Sequence, residues 1–214
     1  MIKINRKENP SFTHYSETIV RESIKKDFFK KCYLCEEVTR HFEVEHFYPQ
    51  THYLHLINEY TNLFYCCQKC NKIKPKKINI DSENEMLNCC DIDPEKYIKL
   101  KYRSSDGYIE VTQIDSKLNY NKQIEYTIKI LDRIYNGKKT KSDSFIDLRT
   151  EVKLEIESFR KKIDKYKRTK LKRAALNELQ LALEISSSYS TFKRWIIKDN
   201  NSLKKEFGRY INDV

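Results

Sequence analysis

Hydrophobic positions fall into three regimes along the chain. In residues 1–31, Ile19, Val20, Ile24 and Phe28 recur at steps near four behind Ser16. That spacing puts them on one face of a helix with Ser16 as its cap. From 32 to 117 the periodicity breaks down, except where Lys99–Tyr102 and Tyr108–Val111 alternate around Ser104-Ser105-Asp106-Gly107. Alternation on both sides of a glycine-containing turn predicts a β-hairpin. From 118 onward the pattern is helical again. Phe145, Leu148, Val152, Ile156, Phe159, Ile163 and Tyr166 step by three or four, which aligns them on one stripe, with Ser142 and Asp143 as caps for its start. Leu171, Ala175, Leu179, Ala182 and Ile185 form a second stripe that stops at Ser186-Ser187-Ser188. Both stripes read as the core of a helical bundle. The expected class is α+β, mainly α, divided into residues 1–117 and a helical region 118–214.

Composition narrows the partners. Of the 214 residues, 39% are hydrophobic and 34% charged, and 42 Lys and Arg against 31 Asp and Glu leave a formal charge of +11. The core is therefore thin, and the surplus charge points either to a polyanion such as nucleic acid or to a plainly solvated basic surface. Three glycines and four prolines are too few for the turns of a β-sandwich or for long linkers. No apolar run approaches the ~20 residues that span a bilayer. Met1-Ile2-Lys3-Ile4-Asn5 lacks the features of a signal peptide. The expected location is cytoplasmic, where seven cysteines argue for metal ligation over disulfides.

The cysteines are patterned. Cys32-Tyr-Leu-Cys35 and Cys67-Gln-Lys-Cys70 are two C-x-x-C pairs, each able to offer two thiolates to one tetrahedral zinc. Such a site supplies folding free energy to a segment poor in apolar stripes; the bland alternative is four unligated core cysteines. Cys66 competes with Cys67 for the fourth place, and the matched x2 spacing favours Cys67. Cys89 and Cys90 read as buried small hydrophobes. Between the pairs, Phe42-Glu43-Val44-Glu45-His46-Phe47-Tyr48-Pro49-Gln50 places Glu43 and Glu45 on one side of a strand that Pro49 ends. A carboxylate beside an imidazole offers a metal ligand next to a general base, although a solvated strand face has the same look. A zinc clamp would bring Asn71, which follows Cys70, back toward His46.

Cys32-x2-Cys35, Glu43-Val-Glu45-His46, Tyr48-Pro49-Gln50, Asn62-Leu63 and Cys67-x2-Cys70-Asn71-x2-Lys74 together resemble the HNH endonuclease family. The resemblance implies a zinc-stapled ββα-metal core followed by the hairpin and the helical region. It implies that Glu45 binds metal, His46 activates water, Asn62 holds the loop that orients the histidine, and Asn71 completes the metal site, with Glu43 as a further ligand left open. Glu45 stands where aspartate is commoner. Met1–Asn5, Met86–Lys96, the hairpin and Thr191-Phe192 look like the PtuB-like nucleases of Septu and retron-associated phage-defence systems. That likeness implies an SMC/ABC-type ATPase partner docked on 118–214.

The expected activity is thus hydrolysis of nucleic-acid phosphodiesters, DNA foremost, with structural Zn²⁺ and catalytic Mg²⁺ or Mn²⁺. Lys72, Lys74, Lys76 and Lys77 are the expected phosphate contacts. The lysines and arginines between Lys161 and Arg173 fit nucleic-acid tracking and plain solvation equally. Two other readings stay open: an RNA- or tRNA-cleaving effector, and a non-catalytic zinc-finger module that binds nucleic acid.

Overall fold

The computed structural model describes residues 1–74, 85–114, 121–137 and 143–211. About half of the chain is helical, and the strands form two small antiparallel sheets, so the class is α+β. The first helix, α1 (Thr18–Asp27), buries Val20 and Ile24 and exposes Ile19. Ser16 does not cap it. Glu17 takes the cap position and turns its carboxylate back to accept from the Thr13 and His14 N–H groups, both at 2.8 Å. Beyond α1, Phe29 and Lys30 adopt φ of 56° and 59°, and this left-handed reversal leads into a bridge between Lys31 and Val38 that closes the Cys32–Cys35 turn.

Strands β1 (Phe42–His46) and β2 (Leu63–Cys67) pair antiparallel, with Glu43 opposite Cys66 and Glu45 opposite Phe64. All five residues of β2, Leu-Phe-Tyr-Cys-Cys, are buried, because α1 covers the strand from one side and α2 (Gln68–Ile73) follows it directly. Phe42 stacks on Tyr65 at 3.9 Å between ring centroids, and Phe47 on Phe64 at 5.1 Å. Arg6 ties the N-terminal segment to this sheet: it donates to the carbonyls of Tyr60 and Leu63 at 2.9 and 2.8 Å and lies over the Phe64 ring.

The second sheet is the expected hairpin, β3 (Ile98–Tyr102) with β4 (Ile109–Gln113). Gly107 in its turn has φ +70°, which a side chain would strain. Helix α3 (Asn121–Asn136) packs on β4. The long α4 (Asp143–Arg168) begins at Asp143; Ser142 and the side chain of Phe145 lie outside the described residues. Its stripe serves two cores. Leu148, Val152 and Ile156 join the main cluster with Phe64, Leu63 and Tyr135, whereas Phe159 and Ile163 pack with Leu179, Leu183, Ile197 and Phe207. The main core therefore draws residues from both sides of position 117. Leu171 is not part of the second stripe: α5 (Lys172–Leu183) starts one residue later, and Leu171 is 74% exposed at its cap. Helices α6 (Ser190–Lys198) and α7 (Asn201–Phe207) close the smaller core.

One buried ion cluster joins the cysteine turn to α6. Glu36, with φ 65° next to Cys35, is fully buried. Its carboxylate meets the Met1 amine at 2.9 Å, Lys31 Nζ at 3.3 Å and the Thr191 N–H at 3.0 Å. Lys31 Nζ also faces the carbonyls of Ile185 and Ser187. It also donates to Ser190 Oγ at 2.6 Å, so the three hydrogens of the ammonium go to these three oxygens while Glu36 supplies the counter-charge; burial pulls the Lys31 pKa down and Glu36 pushes it back up. Burial pushes the Glu36 carboxyl up, and Lys31, the Met1 amine and Thr191 override it, holding it well below the usual carboxylate range. Glu36→Gln leaves Lys31 buried without its counter-charge and should cost about 3 kcal/mol at pH 7, measured by denaturant unfolding. Because the folded pKa is depressed, the wild-type advantage should be complete above the unfolded value of about 4.3. It should be lost progressively below that pH, as the unfolded carboxyl takes up its proton.

Candidate functional site

The Cys32–Cys35 turn and the junction of β2 with α2 bring four sulfurs together. The Sγ atoms of Cys32, Cys35, Cys67 and Cys70 all lie within 4.8 Å of one another and all four residues are buried. Cys35 and Cys67 are 3.8 Å apart. Zn–S bonds of about 2.3 Å at tetrahedral angles put sulfurs about 3.8 Å apart, so the donor set and its spacing fit a zinc ion. Cys67 caps α2 and its sulfur accepts from the Cys70 N–H at 3.5 Å. Cys66 lies beside the cluster, 4.0 Å from Cys32, and is not one of the four. Burial pushes the Cys32 thiol up, but hydrogen bonds from Cys35, Cys66, Cys67 and Cys70 overcome it and hold Cys32 well below the usual thiol range. The same bonds to Cys32 push Cys35 and Cys70 well above it. Thiolates are the form that binds zinc, so a dication at this position favours ionisation of all four. Cys89 and Cys90 stand outside this set; Cys89 is buried as expected, whereas Cys90 is only half-buried and its sulfur accepts from Arg6 Nε at 3.3 Å.

A second constellation forms at the end of β1. Glu45, His46, Asn71 and Lys74 line one cavity of about 270 Å³, together with Pro49 and Gln50. The His46 ring is oriented by its surroundings. Nε2 lies 2.9 Å from the Ile57 carbonyl, which can only accept, so Nε2 carries the proton and Nδ1 keeps its lone pair. Gln50 Nε2 lies against the ring, 3.0 Å from Nδ1 and 3.2 Å from Nε2, and Tyr15 packs edge-on at 4.7 Å. Burial lowers the His46 pKa, partly offset by the Ile57 carbonyl and Glu45. The imidazole is therefore neutral at pH 7, the form that accepts a proton.

Asn62 fixes the intervening loop. Its Oδ1 accepts from Tyr48 N–H at 2.7 Å, and its Nδ2 donates to the carbonyls of Tyr48 and Leu56 at 3.2 and 3.1 Å. The loop that supplies the Ile57 carbonyl is thus pinned to the start of β2. Glu43 and Glu45 face α2, as alternation requires. Asn71 Nδ2 donates to Glu43 Oε2, and Lys74 Nζ to Glu45 Oε1 at 2.5 Å. Glu45 and the amide of Asn71 offer hard oxygen donors of the kind Mg²⁺ or Mn²⁺ takes; among the described residues only the four cysteines form a cluster of His, Cys, Asp or Glu groups close enough to share one ion.

The structure thus brings Glu45, His46 and Asn71 to one cavity, with Glu43 bonded to Asn71 and Asn62 pinning the loop. The lysines divide. Lys72 is exposed beside the site, whereas Lys74 is buried and turned inward, its ammonium bonded to Glu45 and to the carbonyls of His46 and Phe47. A side chain so occupied does not reach for phosphate. Lys76 and Lys77 lie outside the described residues. Sequence reasoning missed the Gln50 contact and the inward turn of Lys74, although both residues stand inside the motif. It also missed Arg6, which no pattern marks.

No protein-family model, curated protein or solved structure matches this chain. Function therefore rests on the residues themselves. The sulfur geometry predicts about one zinc per chain in protein purified without chelators. Elemental analysis should show Cys67→Ser and Cys70→Ser losing it and Cys66→Ser keeping it. Zinc retained in Cys67→Ser and lost in Cys66→Ser would reverse the assignment.

Proposed function

We propose that this chain is a metal-dependent HNH endonuclease that hydrolyses nucleic-acid phosphodiester bonds, with DNA as its principal target. In this reading β1, β2 and α2 form a ββα-metal unit stapled by a structural zinc on Cys32, Cys35, Cys67 and Cys70. The observation that carries it is the imidazole of His46, held by the Ile57 carbonyl and lining a polar cavity together with Glu45 and Asn71. A non-catalytic zinc module has no use for a desolvated, oriented base.

The residues divide the work. His46 Nδ1 takes the proton of the attacking water. Asn62 holds the loop that orients the ring, and Gln50 steadies its open side. Glu45 and Asn71, with Glu43 behind Asn71, hold a Mg²⁺ or Mn²⁺ ion. When bound, that ion supplies positive charge to the phosphoryl group and the departing oxygen. The exposed Lys69 and Lys72 on α2 and the +11 overall charge draw the polyanion in. By the family likeness, the chain is the effector of a Septu- or retron-type antiviral system in the cytoplasm, and residues 118–214 dock on an SMC/ABC-type ATPase.

His46→Ala should lower the cleavage rate of plasmid DNA by about 10² to 10⁴ while the zinc and nucleic-acid binding are retained. Wild-type rates from contaminant-free His46→Ala protein would falsify the assignment. The pH profile gives a second check. His46 must be neutral to act, and burial lowers its pKa, so the rate should rise with pH to a half-maximum below about 6.5 and stay flat through neutrality. Parallel assays on RNA decide the substrate class, and binding without Mg²⁺-dependent cleavage of either would favour the binding module.

A further inference from the structure

Lys74 stands at the end of α2 with its side chain 6% exposed. Its ammonium lies 2.5 Å from Glu45 Oε1, 2.7 Å from the His46 carbonyl and 2.8 Å from the Phe47 carbonyl. The Phe47 ring centre is 5.5 Å away. One carboxylate and two carbonyl oxygens around a buried cation are the surroundings in which a hard metal ion is also held. The side chain is fixed from β1 as well as from Glu45, so its charge stays at the cavity wall when Glu45 takes another partner.

The local charges then decide how a cation binds. The charged residues that line the cavity are Glu45 and Lys74, one negative and one positive, which cancel. A divalent ion therefore leaves the cavity with two excess positive charges, and a phosphodiester monoanion removes one of them. Like charges a few ångströms apart at a poorly solvated site repel strongly. We propose that Lys74 is a positioning residue that weakens divalent-ion binding at Glu45 until a phosphodiester is present, so that metal loading depends on substrate. This rests on the metal-binding reading of Glu45 given above. It assigns Lys74 to the control of that ion and not to phosphate contact.

The test is Mn²⁺ binding to the full-length, zinc-loaded protein, followed by electron paramagnetic resonance with Mn²⁺ alone and with dimethyl phosphate as the diester. Lys74→Met should bind Mn²⁺ about tenfold or more tightly than wild type without the diester. Lys74→Arg, which keeps the charge, should bind as wild type does. Dimethyl phosphate should tighten Mn²⁺ binding to wild type and have a smaller effect on Lys74→Met. If Lys74→Met is too unstable for titration, the Mn²⁺-induced rise in melting temperature replaces affinity, and it should be larger in the variant than in wild type. Equal Mn²⁺ affinity in wild type and Lys74→Met, with only a lower melting temperature, makes Lys74 structural and overturns the proposal. If Glu45→Gln leaves Mn²⁺ binding unchanged in both backgrounds, the metal reading of Glu45 falls, and this inference with it.

Discussion

Four sulfur atoms meet where the Cys32–Cys35 turn abuts the junction of β2 and α2, and much of the fold follows from holding them there. Crowded thiols in a dry interior share poorly solvated charge unless a cation compensates them. Satisfying that requirement fixes the start of α2 against the turn, and with it the angle at which α2 returns over β1. The same clamp sets Asn71, one residue after Cys70, against Glu43. The sulfur cluster and the cavity are thus two ends of one short helix, and a loss at the first end is felt at the second.

The polar groups around this clamp are buried but not idle. Glu36 accepts from α6 and from Lys31, Asn62 bridges three backbone groups, and Lys74 satisfies a carboxylate and two carbonyls. In each case a chargeable or amide side chain replaces water for backbone that the loops leave unpaired. A chain with 39% hydrophobic residues has little apolar area to spare, so satisfied polar networks carry part of the specification of the fold. The loop from Phe47 to Asn62 shows the consequence. It has little regular structure beyond two short 3₁₀ turns, Leu54–Leu56 and Tyr60–Asn62, yet it delivers the Ile57 carbonyl to within 2.9 Å of His46.

Division of the chain at residue 117 has a physical limit. Tyr135 of α3 donates to the Cys35 carbonyl, and Thr191 of α6 binds Glu36. The helical region therefore buttresses the cysteine turn directly. Any partner that shifts α6 would act on the turn through Glu36, a short mechanical route from the helices to the sulfur cluster.

The periodic elements were legible in the sequence because each is set by local spacing. The alternation of the hairpin, the α4 stripe and the paired C-x-x-C motifs each state a geometry that needs no distant partner. The ordered string from Cys32 to Lys74 also marked Glu45, His46, Asn62 and Asn71 as a group. Other features were decided only in three dimensions. Ser16 lost the cap of α1 because the Glu17 carboxylate found two backbone donors upstream, and Leu171 left its stripe because α5 starts one residue late. Lys74 reads as a surface cation in one dimension; the return of α2 over β1 is what encloses it with Glu45. Arg6 and Glu36 carry no pattern at all, since the groups they satisfy lie 54 and 155 residues away. Spacing along the chain determines which face a side chain takes, and only the closing of long loops determines which charge it meets there.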